Sequence, residues 1–227
     1  MNPMRKIAVA IDGPAGAGKS SISKVVAKAL GYLYIDTGAM YRSVTWAVLQ
    51  DGLEPTDKEA VEAILPSLEL RMEPTEEAFR VFVRGEDVTG LIRSAEVNNA
   101  VSQVASHKGV RDYLVERQRL MAKAGGVILD GRDIGSVVLP DAELKVYLTA
   151  SVEARAQRRY LEVKDTDPTV SLEAIRENVE KRDYLDMNRD ESPLVCVEDA
   201  VVVDSSDLTF EQTVEALTKL IEEAAHE

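Results

Sequence analysis

Five short apolar runs, at residues 6–11, 33–35, 126–130, 144–148 and 200–203, punctuate a chain that otherwise carries helical patterning. The runs are rich in β-branched side chains and hardly alternate, as in Val201-Val202-Val203, which is the pattern of strands covered on both faces. Separated by helical stretches, they predict an α/β fold with a five-stranded parallel sheet flanked by helices. Local signals mark the helix ends. One helix is expected over Lys19–Leu30, closed by Gly31. Thr56 with Glu59, and Thr209 with Gln212, have capping-box spacing, while Gly52 and Gly125 read as C-terminal stops.

Residues 68–88 break this rhythm. Leu68 to Met72 and Ala78 to Val83 alternate, and Gly85 supplies a turn before Asp87-Val88, so a small antiparallel sheet is expected. With helices at about 94–105 and 108–124 it forms an insertion on the core. A second insertion is expected from about Arg155 to Pro168, where arginines and Lys164-Asp-Thr-Asp-Pro168 read as a mobile flap. The alternative for that stretch is one amphipathic helix followed by a solvated charged loop.

Composition narrows the possibilities. The 227 residues, 45% apolar, suffice for one compact core with insertions. A net charge of −13 argues against a broad basic surface for polymeric nucleic acid or anionic lipid, so a phosphate ligand requires locally gathered positive charge. Cys196 is the one cysteine and reads as a half-buried, unreactive thiol; with two histidines it makes no metal-ligand cluster. Five apolar residues after Arg5-Lys6 are too few for a signal-peptide core, and no stretch approaches membrane-spanning length, so a cytoplasmic location is expected.

The most specific signal is Gly13-Pro14-Ala15-Gly16-Ala17-Gly18-Lys19-Ser20, a complete G-x-x-x-x-G-K-[ST] loop that follows the run Ile7–Ile11. A strand feeding such a turn and then a helix lets backbone N–H groups converge on an anion, with the helix N-terminus adding partial positive charge. In that arrangement Lys19 reaches the outer phosphates and the Ser20 hydroxyl sits on Mg²⁺. An ordinary glycine-rich turn is the plain alternative, which the flanking strand and helix disfavour.

Arginines gather in four further places. Asp36-Thr37-Gly-Ala-Met-Tyr-Arg42 follows the second apolar run and opens a helix, placing Thr37 and Arg42 at an anion-receptive end. Asp130-Gly-Arg132-Asp133 terminates the run at Val127–Leu129, where open parallel sheets hold ligands. Arg155, Arg158 and Arg159 fall on one side of a helix, and Arg182, Asp186 and Arg189 repeat that spacing on another. Each cluster alone also fits a solvated helix face or a simple turn. Beside a phosphate loop, the joint pattern favours a site for two phosphate-bearing ligands.

The combination of IDGPAGAGKS (11–20), IDTGAMYR (35–42), Ser102-Gln103, Val110-Arg111, DGRDIG (130–135), Arg182, Asp186 and Arg189 resembles the bacterial cytidylate kinases, over nearly the whole chain. The resemblance implies a nucleoside-monophosphate-kinase fold. Its expected divisions are a core of about 1–36, 125–154 and 169–227, a monophosphate-binding insertion of about 37–124, and an arginine-bearing lid of about 155–168. It implies transfer of the ATP γ-phosphoryl group to CMP or dCMP with Mg²⁺, by a monomer.

Carried over residue by residue, the resemblance implies that residues 13–20, Ser21 and Arg158 hold ATP. Lys19, Arg155, Arg159 and Arg189 act on the transferring group. Ser102, Arg111 and Asp133 contact cytosine. Thr37, Arg42, Arg132 and Arg189 hold the acceptor phosphate or its surroundings, and Arg182 with Asp186 the sugar. With Asp133 on the base, the cytosine N4 donor fits where the uracil O4 acceptor does not.

Three other readings stand beside this one. A P-loop kinase for another acceptor shares the loop but not the Asp133 and Arg111 pair. A GTP-dependent switch usually carries an N-K-x-D motif, and none occurs here. A structural relic of the P-loop fold leaves Lys19 without a task.

Overall fold

The computed structural model describes residues 5–75, 79–165, 167 and 169–226. Ala78 of the expected alternating segment, Thr166 and Pro168 of the expected lid, and residues 1–4 and 227 of the expected core lie outside the described residues. The chain divides into two compact units, one running up to Ile35 and resuming at Ala124, the other spanning Asp36–Lys123.

The chain opens with β1 (Ala8–Asp12), α1 (Lys19–Leu30) and β2 (Leu33–Asp36). The second unit follows, with α2 (Thr37–Gln50), α3 (Lys58–Ala63), β3 (Arg71–Pro74), β4 (Phe79–Val83), β5 (Glu86–Asp87), α4 (Ala95–Val104) and α5 (Lys108–Ala122). The first unit is completed by β6 (Val127–Gly131), β7 (Leu144–Thr149), α6 (Val152–Val163), α7 (Leu172–Asn188), β8 (Val201–Asp204) and α8 (Phe210–His226).

Among the described residues the five expected apolar runs form one parallel sheet in the order β2-β6-β1-β7-β8. Its centre is dry: Val9, Ala10, Ile11, Val127, Ile128 and Leu129 are fully buried, as parallel strands covered by helices require. Register fixes the functional end. Val9 lies opposite both Ile128 and Leu144, so Ile11 pairs with Asp130 and Asp12 with Gly131 at the carboxyl ends of β1 and β6. β8 departs from the expectation of two covered faces, since Val201 and Val202 are 40% and 57% exposed. It is an edge strand, paired on one side with β7 alone.

In the second unit β3, β4 and β5 form the expected antiparallel sheet. Its first strand begins at Arg71 rather than Leu68. Pro66 opens a 3₁₀ turn over Leu65–Ser67, Leu68 caps it in helical geometry, and Glu69 takes a positive φ of 45° before the strand starts. The cap of α3 is Asp57, which accepts from the Ala60 amide at 3.0 Å, one residue beyond the expected Thr56. The box at α8 holds in both directions: the Thr209 amide donates to Gln212 at 2.9 Å, and the Gln212 amide to the Thr209 hydroxyl at 3.2 Å.

The segment expected as a flap is largely helical. Residues 155–163 belong to α6, and Ala156, with Val152, Tyr160 and Val163, packs against Ile175 and Val179 of α7. The apolar side of α6 recurs at helical spacing, so burial against α7 orders it despite its charge. Cys196, expected half-buried, is exposed in the irregular segment before β8. No helix among the described residues is long and apolar enough to cross a membrane.

Candidate active site

The loop from Gly13 to Ser20 joins β1 to α1. At Gly13 the backbone has a φ of 151° and lies so close to β7 that a Cβ would stand 2.0 Å from the Leu148 carbonyl oxygen, so no side chain fits there. Lys19 is buried, and its ammonium donates to the carbonyls of Gly13 at 2.7 Å and Pro14 at 2.8 Å. Burial, reinforced by the nearby Arg132 charge, pulls the Lys19 pKa well below its ordinary value, with Asp130, Asp12 and Asp186 opposing. Ala15 and Ala17 are buried, whereas Gly16 and Ser21 are exposed.

Asp130 organises the Ser20 end of the loop. Ser20 Oγ donates to its Oδ2 at 2.8 Å and the Tyr34 hydroxyl to its Oδ1 at 2.9 Å, a junction created by the β1–β6 register and by β2 lying beside β6. Asp12 turns the other way. Its carboxylate accepts the Ile134 and Gly135 amides at 2.8 and 2.7 Å and so holds the single π-helical turn Ile134–Val138 that follows Asp133. Burial raises the Asp12 pKa to about 6; the two amides and Lys19 work against that rise and the Asp133 charge adds to it.

The arginines of the first unit form a connected charge group. Arg132 Nε donates to Asp186 Oδ2 at 2.8 Å. Burial alone would raise the Asp186 pKa, but Arg132, followed by Arg189 and Arg182, holds it below the usual carboxylate range. Asp133 is buried, and its Oδ1 lies 4.0 Å from Arg189 Nη2. The spacing of Arg189 predicts a place on the helix, but it stands at the C-terminal cap of α7 in extended geometry, where Nε donates to the Ser192 carbonyl at 2.9 Å. Arg182 is half-buried within α7.

In the second unit, fully buried Asp36 caps α2 through the Ala39 amide at 2.7 Å and takes hydrogen bonds from Arg42 at 3.1 Å and Arg93 at 3.0 Å. Thr37 is buried beside that cap. Arg111 is buried on α5, donates to the Ala105 carbonyl at 3.0 Å and stands 5.2 Å over the Tyr41 ring; Ser102 is half-buried on α4.

The α6 arginines have three different environments. Arg158 Nη1 donates to the Ser205 hydroxyl at 3.2 Å, tying α6 to the loop after β8. Arg159 is exposed and paired with exposed Glu162 at 2.8 Å. Arg155 is buried, with its guanidinium against Asp183 and backbone carbonyls. Tyr34, Arg93 and Asp183 were not marked by any sequence signal, and Asp36 and Asp130 stood inside motifs without a role.

The model of the cytidylate kinase family matches residues 9–223. The chain belongs to the cytidylate kinase family. The cytidylate kinase of Geobacillus sp. (strain WCH70) is 47% identical over 217 residues, covering 96% of this chain and 97% of that protein. Those of Listeria monocytogenes and Bacillus subtilis are 48% and 44% identical, each covering 96% of this chain and 97% and 98% of their own lengths. A crystal structure of an uncharacterized protein from Eubacterium ventriosum shares the fold alone, with a TM-score of 0.51 at 10% identity over 95% of this chain and 98% of that one. Every candidate residue from Gly13 to Arg189 falls inside the stretch matched by the cytidylate kinase family, which bears out the resemblance read from the motifs.

Proposed function

We propose that the chain is an ATP-dependent (d)CMP kinase: the γ-phosphoryl group of ATP passes to a phosphate oxygen of CMP or dCMP, giving CDP or dCDP and ADP. The observation that carries this reading is membership of the cytidylate kinase family across residues 9–223, with curated relatives matched over 96% of the chain. The bond formed joins the acceptor phosphate oxygen to γ-phosphorus, and the bond broken releases the ADP β-phosphate oxygen. The acceptor oxygen is already anionic, so the step needs alignment and charge neutralisation rather than a strong general base.

Residue roles follow from chemistry and position. The backbone of residues 13–18, with Ser20, Ser21 and Arg158, is assigned to ATP, and Lys19 exchanges its loop carbonyls for phosphate oxygens. Arg159 and Arg189 offset charge on the transferring group. The acceptor phosphate is assigned Thr37, Arg42, Arg132 and Arg189. Arg182 and Asp186 are assigned to the sugar, and Ser102, Arg111 and Asp133 to cytosine. The insertion of about 37–124 thus serves the monophosphate, and the arginine-bearing segment of about 155–168 acts as lid.

Magnesium fits the oxygen donors at the end of the loop. Ser20 Oγ and the Asp130 carboxylate meet at 2.8 Å, and both are hard ligands of the kind Mg²⁺ selects. Bound there with ATP, the ion neutralises phosphate charge. We place the reaction among free nucleotides in the cytoplasm, carried out by a monomer without polymeric nucleic acid; the net charge of −13 supports the last point. A ³¹P NMR time course with ATP, magnesium and CMP tests the reading. CDP and ADP resonances growing together support it, and ADP appearing with inorganic phosphate and no CDP rejects it.

A further inference from the structure

Arg155 has an environment unlike the other α6 arginines. Its Nε donates to the Ala150 carbonyl at 2.9 Å, just past the end of β7. Nη1 donates to the Ala15 carbonyl, in the phosphate loop itself, at 2.9 Å and to Asp183 Oδ1 at 3.0 Å; Nη2 donates to Asp183 Oδ2 at 2.6 Å. The two side chains are 4% and 13% exposed. The loop also passes near the stem of this arginine, since a Cβ added at Gly16 would lie 3.4 Å from Arg155 Cβ. One guanidinium therefore holds the phosphate loop, the end of β7 and α7 together. Asp183 in turn sits between Arg182 and Asp186 on α7, the helix whose side chains are assigned to the acceptor.

We infer that Arg155 and Asp183 are positioning residues that fix the spacing between the phosphate loop and α7, and so between donor phosphates and acceptor; the inference rests on the kinase reading above. Four of the five guanidinium N–H groups are spent on protein acceptors. To touch a transferring phosphoryl group Arg155 would have to abandon a shielded carboxylate, leaving an uncompensated charge, which is the costly way to break a buried pair. The exposed Arg159 carries no such commitment. The fork geometry matters as much as the charge, because a planar guanidinium reads a carboxylate through two parallel bonds and a lysine ammonium does not.

A spacer of this kind affects the reaction more than either binding step. Each nucleotide keeps its own contacts when the spacer is lost, but the reacting atoms meet at the wrong separation, and a misplacement of about 1 Å costs on the order of a hundredfold in rate.

The test is steady-state kinetics with ATP and CMP on Asp183→Asn, Arg155→Lys, the double variant and Asp183→Glu, with a thermal melt for each. The expected result is a kcat lower by roughly 10- to 100-fold in either single variant, with both KM values within about threefold of the parent. The double variant is expected to be no worse than the poorer single one, as for residues acting as a unit. Asp183→Glu, which keeps the carboxylate, recovers part of the loss. If Asp183→Asn fails to fold, the inference is read from Arg155→Lys and Asp183→Glu. A large loss in Arg155→Lys beside a fully active Asp183 variant overturns it, since Arg155 then acts on phosphate directly. Losses confined to KM, or losses that follow the melting temperature without recovery by glutamate, also overturn it. Those outcomes leave the kinase reading standing, whereas a parent enzyme that forms no CDP overturns both.

Discussion

Arg132, at the end of β6, donates through Nε to Oδ2 of Asp186 on α7 at 2.8 Å, and this pair joins two residues assigned to opposite parts of one acceptor nucleotide. The carboxylate is 7% exposed and the guanidinium 21%. Removing one partner leaves the other charge shielded from water without compensation. Asp186→Ala is therefore expected to destabilise the protein by about 3–5 kcal/mol at neutral pH, measured by urea unfolding. A loss below about 1 kcal/mol, the value of an exposed pair, would contradict this account of the contact. The lowered Asp186 pKa also sets a sign: its stabilisation is present above the unfolded carboxylate pKa and is lost as pH falls through the folded value.

Asp12 titrates in the opposite sense. Its folded pKa of about 6 lies above the unfolded 3.8, so the folded state binds the extra proton between those values. Stability from this group is present below the unfolded pKa and is lost as pH rises to the folded one, by about 3 kcal/mol in all. The ¹³C carboxyl resonance of Asp12, assigned by its absence in Asp12→Asn, is expected to titrate with a midpoint near 6. A midpoint below about 4, the ordinary aspartate value, would show that the Ile134 and Gly135 amides outweigh burial.

Base choice tests Asp133. A buried carboxylate accepts from the N4 amino group of cytosine and faces lone pairs in uracil, a mismatch of about 1–3 kcal/mol or more. Asp133→Ala is expected to lower kcat/KM for CMP by roughly tenfold or more beyond any loss on UMP, so that the preference between the two shrinks. Equal losses on both acceptors remove Asp133 as the residue that reads the base.

What the sequence revealed, and what it concealed, follows the range of the interactions. β-Branched runs and a G-x-x-x-x-G-K-S loop are local features, and all five core strands and the loop appear where they were expected. The run Val201–Val203 is chemically the same as a central strand, so its place at the sheet edge is invisible until β7 is known to be its partner. Leu68 alternates with its neighbours like a strand residue, yet the turn that Pro66 opens holds it out of the sheet. The α6 segment fits both a flap and an amphipathic helix by its sequence, and its packing face at Ala156, Tyr160 and Val163 is defined only by the place of Ile175 and Val179 on α7.

The site divides in the same way. Residue types and spacing marked the arginines, but not what holds them. Ser20 finds Asp130 across 110 positions, Arg93 finds Asp36 across 57, and Arg155 finds Asp183 across 28. None of these pairs has a periodicity. The same limit applies to the three α6 arginines, which share one helical spacing and have three different partners: a half-buried aspartate, a loop serine and a surface glutamate.

The most direct measurement is the initial rate of ADP release from ATP and magnesium with CMP, dCMP, UMP, dTMP and AMP each supplied in turn as acceptor. For a (d)CMP kinase the expected result is that CMP and dCMP each drive ADP release, CMP roughly tenfold or more faster than UMP. ADP release that neither cytidine nucleotide stimulates would contradict it.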